Sequence, residues 1–322
     1  MIVIIIITII ITIFIMIIHN NYFLFHLFHC RGIVLVKDVC ELVYSQPSVI
    51  QRYVEDPLCL DGYKFDLRLY VLVTSFKPLE AFIHTDGFAR VSTDKYSLDR
   101  NDVGNKYIHL TNSSIQKTNE KEMNKDNPLS DHTEDSGGSK ISLKGPHGLW
   151  ARLDKKGYDS KSVWRNICVL VLKSLVIVDD KMTHQPCSFE VFGYDVLIDS
   201  SLRCWLIEVN ASPSMARENS LDIRVKNGMI RDTVSLISPA PFDRAAVARI
   251  LTRRFADIRK NKFVFNRNDP DLEKDLTDIL GNFVPRRCGE IPKILGGYEL
   301  LCPNTKMHTS VLKMKSRIIK SD

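Results

Sequence analysis

Phe192-Gly193-Tyr194-Asp195-Val196-Leu197-Ile198-Asp199-Ser200-Ser201-Leu202-Arg203-Cys204-Trp205-Leu206-Ile207-Glu208-Val209-Asn210 is the stretch on which the fold turns. Two apolar runs, Val191–Asp199 and Cys204–Val209, flank a short segment with Ser200 and Ser201, a pattern that predicts a β-hairpin. If Asp199 and Cys204 close a four-residue loop, the register sets Asp195 opposite Glu208. Alternation then puts Asn210 on the face of Glu208. Two carboxylates and an amide project together from strands that are otherwise mostly apolar. Carboxylates side by side repel and are costly to desolvate, so a cation is the natural counterweight. An all-oxygen set of Asp195, Glu208 and Asn210 suits Mg²⁺, which keeps several waters and takes further oxygens from nucleotide phosphates. A solvated hairpin face is the plain alternative, but the acid, acid and amide fall inside the strands and not in the turn.

A second charged strand lies upstream. In Lys64-Phe65-Asp66-Leu67-Arg68-Leu69, Lys64, Asp66 and Arg68 share one face while Phe65, Leu67 and Leu69 face a core. A Lys and an Arg flanking an Asp suit phosphate oxygens and a ribose, Lys as a point charge and Arg as a fork. A self-neutralising ion-pair ladder explains the same pattern. Gln51-Arg52-Tyr53-Val54-Glu55 leaves a strand toward a loop, where exposed backbone groups can read a purine edge. His109-Leu110-Thr111-Asn112 offers short hydrogen-bonding side chains near a strand end, or simply a polar cap on a turn. Arg90, after Phe88 and Ala89, is a second substrate-side cation or a surface residue.

The rest of the chain bounds these readings. Its 322 residues hold one large domain or two modest ones. Eight cysteines are scattered without a Cys-x-x-Cys pair, which argues against a zinc ribbon or disulfide framework and fits a reducing compartment. Net charge is +6, but from Arg217 onward 21 Lys and Arg face 13 Asp and Glu. A basic C-terminal part favours an acidic polymer as partner; nucleic acid is disfavoured because no zinc finger, RNA-binding signature or basic zipper is present. Residues 119–147 are polar and poor in apolar groups, which predicts a mobile surface insertion. Ser162–Val178 predicts a core helix, Asp222–Ile237 and Asp243–Lys260 two amphipathic helices, and the region beyond Asn261 a loop-rich basic tail. Ile2–Ile18 contains twelve isoleucines in seventeen residues, at the lower edge of a membrane-spanning length. It lacks the basic flank and cleavage site of a secretory signal and reads as an erroneous gene-model start rather than an anchor.

Together these segments resemble the tubulin-tyrosine-ligase-like family of ATP-grasp enzymes. The matching blocks are Gln51 to Glu55, Lys64 to Arg68, Asp86-Gly-Phe-Ala-Arg90, Lys106-Tyr-Ile-His-Leu-Thr-Asn112, and Phe192 to Asp195 continuing to Trp205 through Pro213. The cover runs from about Arg31 to Val234, and within the family the chain looks most similar to member nine, of polyglutamylase type. The resemblance implies an α+β or α/β fold, a partial ATP-grasp in which a mixed sheet is flanked by helices, spanning 31–216 with a basic helical extension over 217–322. It implies ATP and Mg²⁺ as cofactors. Gln51, Arg52 and Val54 would form the adenine hinge; Lys64, Asp66, Thr111 and Asn112 would contact the nucleotide or shape its site. Arg68 and Arg90 would be the catalytic cations, and Asp195, Glu208 and Asn210 the metal ligands. The implied reaction joins free glutamate to glutamate side chains of tubulin tails, in the cytoplasm, at the cytoskeleton and at the cilium or basal body. The family's early ATP-grasp lysines have no counterpart before Arg31-Gly32-Ile33. An inactive microtubule-binding pseudoenzyme, a glycyl or other amino-acid ligase, and a membrane-anchored protein using Ile2–Ile18 are the alternatives.

Overall fold

Tyr63–Phe76 is a fourteen-residue strand, β5 in chain order, and the other main strands are laid against it. The computed structural model describes residues 4–7, 34–36, 49–99, 101–119, 136–182, 188–239, 242–259, 270–281, 283 and 286–321. On one side β5 pairs with β10 (Glu190–Ile198), which pairs with β11 (Cys204–Asn210). On the other side it pairs with β4 (Cys59–Leu60), β7 (Phe88–Val91) and β6 (Leu79–His84) at successive stretches of its length. The sheet continues through β9 (Lys140–Ser142) to β8 (Ser136–Gly137), and β12 (Tyr298–Cys302) adds to β6, giving nine strands. Among the described residues every ladder is antiparallel, which fits the α+β expectation. Asp61 and Gly62, at φ 55° and 88°, make the tight turn between β4 and β5 that an Asp-Gly pair favours.

The two faces of β5 have different fates. Phe65, Leu67, Leu69, Val71 and Val73 are fully buried in one core. Against them pack α3 (Leu149–Lys155) through Leu149 and Leu153, and α4 (Ser160–Val178) through Val163, Ile167, Val171 and Leu175. The Asp159 side chain caps α4 by accepting from the Ser162 N–H at 3.0 Å. On the opposite face Tyr70 and Leu72 join Phe82, Phe88 and Tyr298 beneath α5 (Ser220–Ile237), whose Leu221, Val225, Met229 and Leu236 complete a second core. The earlier residues of that face, Lys64, Asp66 and Arg68, are not covered by the apolar stripe of α5. That end of the sheet gathers buried charge.

Three further findings adjust the expectations. Part of the segment read as a mobile insertion is ordered sheet: Lys140–Ser142 is a buried strand in register with β7, with Arg90 opposite Lys140. Its alternation was hidden by flanking polar residues; 120–135 lie outside the described residues. The tail beyond Asn261 is also more regular than expected, holding α7 (Pro270–Leu280), β12 and α8 (Lys306–Ser321). Before it, α6 (Arg244–Arg259) matches the expected basic helix, although Arg253 and Arg254 are both engaged by Asp275 of α7. Third, Ile4–Ile7 is a strand, β1, between β2 (Val34–Val36) and β3 (Val49–Arg52). Among the described residues no helix is long and apolar enough to cross a membrane. The predicted helix Lys37–Tyr44 lies outside the described residues; the short helices α1 (Lys106–His109) and α2 (Ser113–Gln116) link β7 to the region before β8.

Candidate active site

The hairpin β10–β11 reaches its register by a route the sequence pattern did not reveal. Ile198, not Asp199, pairs with Cys204, so the loop is five residues long. Asp199 organises it, accepting from the Ser201 and Arg203 backbone N–H groups and from Trp205 Nε1 at 2.8 Å. This one-residue slip would place Ile207 opposite Asp195. A β-bulge between the Asp195 and Val196 pairs absorbs the extra residue and restores Glu208 to the position facing Asp195. The expected pairing of the two carboxylates therefore holds, through two compensating irregularities.

Around them a chain of forked ion pairs crosses three strands. Arg68 Nε and Nη2 donate to the two Asp195 oxygens at 2.5 and 3.0 Å. Arg90 Nε and Nη2 donate to Asp66 at 2.7 and 2.5 Å, and Arg90 Nη2 also reaches Asp195 Oδ2 at 2.8 Å. Each arginine pairs with an acid on a neighbouring strand, as the register dictates: Arg68 lies opposite Asp195 and Arg90 opposite Asp66. Neither a free phosphate wall nor a ladder within one strand describes this arrangement. Asp66 accepts the fork of Arg90, while the Nη1 group of both guanidiniums has no described partner. Gly193, opposite Tyr70, leaves room for the stem of Arg68: a Cβ there would stand 2.8 Å from Pro213 Cβ and 3.4 Å from Arg68 Cδ.

The paired carboxylates respond in opposite directions. Although burial opposes it, the Arg68 and Arg90 guanidiniums hold the Asp195 carboxyl well below the usual range. Burial, then the charge of Asp195 beside it, pushes the Glu208 carboxyl up to about 7. Asn210 donates from Nδ2 to Glu208 Oε1 at 3.0 Å and to the Gly193 carbonyl at 3.4 Å, which leaves its side-chain oxygen for another partner. Asp66, Asp195 and Glu208 bring three carboxylates to two guanidiniums, and Glu208 bears the imbalance. A divalent ion fits this corner: two adjacent carboxylates and an amide oxygen, with one negative charge in excess. Among the described residues no group of three or more His, Cys, Asp or Glu is placed to hold a metal ion on its own.

Lys64 sits deeper in the same face. Its ammonium donates to Tyr53 Oη at 3.0 Å and to the His109 carbonyl at 2.7 Å, and stands 4.5 Å from the centre of the Tyr53 ring. Burial lowers it to about 8, with Asp66 opposing. The His109 ring bridges Tyr53 Oη at 2.9 Å and the Asp102 carbonyl at 3.2 Å. Thr111 is buried and Asn112 half-buried in the link between α1 and α2, tethered to Lys64 through the His109 carbonyl; neither side chain has a described bond to the corner. Asn112 caps α2 by its backbone carbonyl without a side-chain bond. Gln51 and Arg52 end β3, paired with Ile5 and Ile4; Arg52 is exposed, and Val54 follows half-buried.

A basic cleft adjoins the corner that sequence reasoning missed. Its volume is about 270 Å³, and Ser113, Lys117, Lys140, Glu218 and Asn219 line it. Lys140 donates to both oxygens of Asp222 at 3.0 and 3.1 Å, and Lys226, one turn along α5, approaches the same carboxylate at 3.2 Å. The available signals were Asp222 and Lys226 at helical i,i+4 spacing beside an apolar stripe.

A family model described as the tubulin-tyrosine ligase family matches residues 27–246. The chain belongs to that family. Human tubulin monoglutamylase TTLL4 is 37% identical over 214 residues, covering 64% of this chain and 17% of that protein. Human tubulin polyglutamylase TTLL5 is 33% identical over 244 residues, with coverages of 72% and 18%. Mouse tubulin polyglutamylase TTLL7 is 34% identical over 231 residues, with coverages of 66% and 24%. The chain thus spans less than a quarter of the length of these tubulin-tyrosine ligase family relatives.

Proposed function

We propose that this chain carries the catalytic core of an ATP-dependent ligase that joins free glutamate to glutamate side chains of tubulin tails. The observation that carries the reading is the forked chain from Asp66 through Arg90, Asp195 and Arg68, ending at the electron-rich corner of Glu208 and Asn210. Family membership and relatives named as tubulin glutamylases support the substrate class. Asp195, Glu208 and Asn210 would hold Mg²⁺, which when bound neutralises phosphate charge and fixes its orientation.

The chain's own residues account for the remaining requirements. Lys64, with one ammonium proton not used by Tyr53 or His109, faces phosphate or ribose. The Gln51 to Val54 segment supplies backbone groups for the adenine, and Thr111 and Asn112 border the nucleotide. In the first step the acceptor carboxylate takes the terminal phosphoryl group of ATP, ADP departs, and an acylphosphate forms. The α-amine of glutamate then attacks the acyl carbon, loses a proton, and phosphate leaves as the isopeptide bond closes. Alignment and charge neutralisation dominate both steps. Arg68 or Arg90, held by its aspartates with Nη1 directed elsewhere, serves the developing oxyanion. The basic cleft beside Arg90 suits the carboxylates of the incoming amino acid. Arg244, Arg249 and Arg259 of α6 are available to acidic tails, which supports a cytoskeletal location; the cilium or basal body is the location that the family resemblance suggests.

Glu208→Gln tests the reading. With taxol-stabilised microtubules and labelled glutamate or glycine, the wild type should incorporate glutamate, and the variant should lose roughly a hundred-fold or more while keeping its fold. Unchanged turnover in the variant would remove Glu208 from the metal site. Preferential glycine incorporation would move the chain to the glycyl-ligase alternative.

A further inference from the structure

Two carboxylates share the lysines of the basic cleft, and their surroundings differ sharply. The Asp222 side chain is 0% exposed. It accepts from Lys140, from Lys226 and from the Glu218 backbone N–H at 3.3 Å, so its lone pairs are nearly all engaged. Its own backbone N–H is bound by the Asn219 cap at 2.8 Å, which fixes the first turn of α5. Beneath it the Phe88 ring lies 5.3 Å from Lys140 Nζ and 5.8 Å from Lys226 Nζ, a common floor for both ammonium groups. Lys226 is further anchored by the Ala216 carbonyl.

Glu218 sits at the mouth. Its side chain is 40% exposed and pairs with Lys117, itself 42% exposed, while standing 3.8 Å from Lys140. A half-exposed pair of this kind binds weakly and exchanges easily with solvent ions. Glu218 therefore places a glutamate carboxylate, on a tether, where a free glutamate carboxylate would meet the same two lysines. Counting these side chains, three lysines face two acids, and displacing Glu218 would open a site for an anion.

We infer that Asp222 and Glu218 set the cleft's affinity for an acidic amino acid in opposite directions. Asp222 is a positioning residue that holds Lys140 and Lys226 in place; Glu218 is a built-in competitor that the ligand's carboxylate displaces from Lys117 and Lys140. The inference rests on the reading of this cleft as the amino-acid site. A purely structural role for both acids would shift affinity the same way in both variants, whereas positioning and competition give opposite signs.

Calorimetric titration of L-glutamate into the full chain decides it, with L-glutamine and glycine as comparison ligands. Glu218→Gln should bind L-glutamate roughly two- to five-fold more tightly, because a weak exposed pair no longer competes. Asp222→Asn should bind it roughly ten-fold or more weakly, as expected when charged hydrogen bonds are lost, and Asp222→Glu should recover part of the loss. Melting curves by circular dichroism separate weakened binding from unfolding, and Glu218→Gln, at an exposed position, carries the sign test independently. If the wild type binds L-glutamate and the two variants match it or move together, the inference is overturned while the cleft's assignment stands. If the wild type binds no L-glutamate, the assignment of the cleft falls and the inference with it.

Discussion

The corner at Glu208 and the cleft at Lys140 are built from the same charges in opposite proportion. The corner sets Asp66, Asp195 and Glu208 against Arg68 and Arg90; the cleft sets Lys117, Lys140 and Lys226 against Asp222 and Glu218. One is short of a cation and the other of an anion. They are also made differently. Corner charges stand on neighbouring strands as planar forks, each pair fixed by ladder register. Cleft charges span a strand, a helix start and a loop: Asp222 holds Lys140 and Lys226, while the half-exposed Lys117–Glu218 pair can open. The teaching is that rigid pairing suits alignment of phosphate and acyl groups, while adjustable ammonium groups suit capture of a small anion. The two sites meet where Arg90 and Lys140 face each other across β7 and β9.

Deleting Asp195 should break this contrast most severely. Asp195→Ala strands the largely buried Arg68 guanidinium and leaves Arg90 to Asp66 alone, and unfolding free energy by urea titration should fall by about 3–5 kcal/mol. Lys140→Met, by comparison, should cost less, about 1.5–3 kcal/mol, because Asp222 keeps Lys226 and the Glu218 N–H. Equal losses would erase the proposed distinction between rigid and adjustable charge.

A middle-sized effect concerns the missing cation. Millimolar Mg²⁺ should raise the melting temperature of the wild type by about 2–4 °C, the shift expected for roughly 1 kcal/mol of linked binding. Glu208→Gln should abolish that rise and Lys140→Met should retain it. A response that follows Lys140 and not Glu208 would reverse the assignment of the two regions.

The smallest effect separates Lys64 from both. Its folded pKa, about 8, is depressed from 10.5. Between those values the unfolded chain holds a proton that the folded chain has released, so stability rises with pH across about 8 to 10.5. A phosphate placed beside Lys64 restores the charge, so nucleotide binding near pH 8 should take up about half a proton and weaken as pH rises further. Calorimetry in buffers of different ionisation enthalpy measures the uptake. Lys140→Met should leave it unchanged, and no uptake in the wild type would remove Lys64 from the phosphates.

Much of this was legible from local pattern. Alternation in Lys64 to Leu69 named the charged and apolar faces correctly, since a strand's side chains must alternate whatever packs on it. The core helix and the basic helix after it were read from helical spacing for the same reason. Local pattern could not show that Asp66 belongs to Arg90 and Arg68 to Asp195, because those partners are 24 and 127 residues apart and are chosen by strand order. Nor could it show Lys140 as a site residue, because a three-residue strand leaves too short an alternation to stand out from polar flanks.

The order of residues by itself determined which groups share a face of the long strands, where the main strands and the core helix fall, and that two carboxylates and an amide occur at compatible spacing. Tertiary structure alone decided their partners. The bulge that returns Glu208 to Asp195, the pairing of each arginine with a distant aspartate, and the gathering of three lysines around Asp222 all depend on which strands and helices become neighbours. Solvated charges are largely screened from one another beyond about 10 Å, so only that adjacency turns scattered ions into a cation-seeking corner and an anion-seeking cleft.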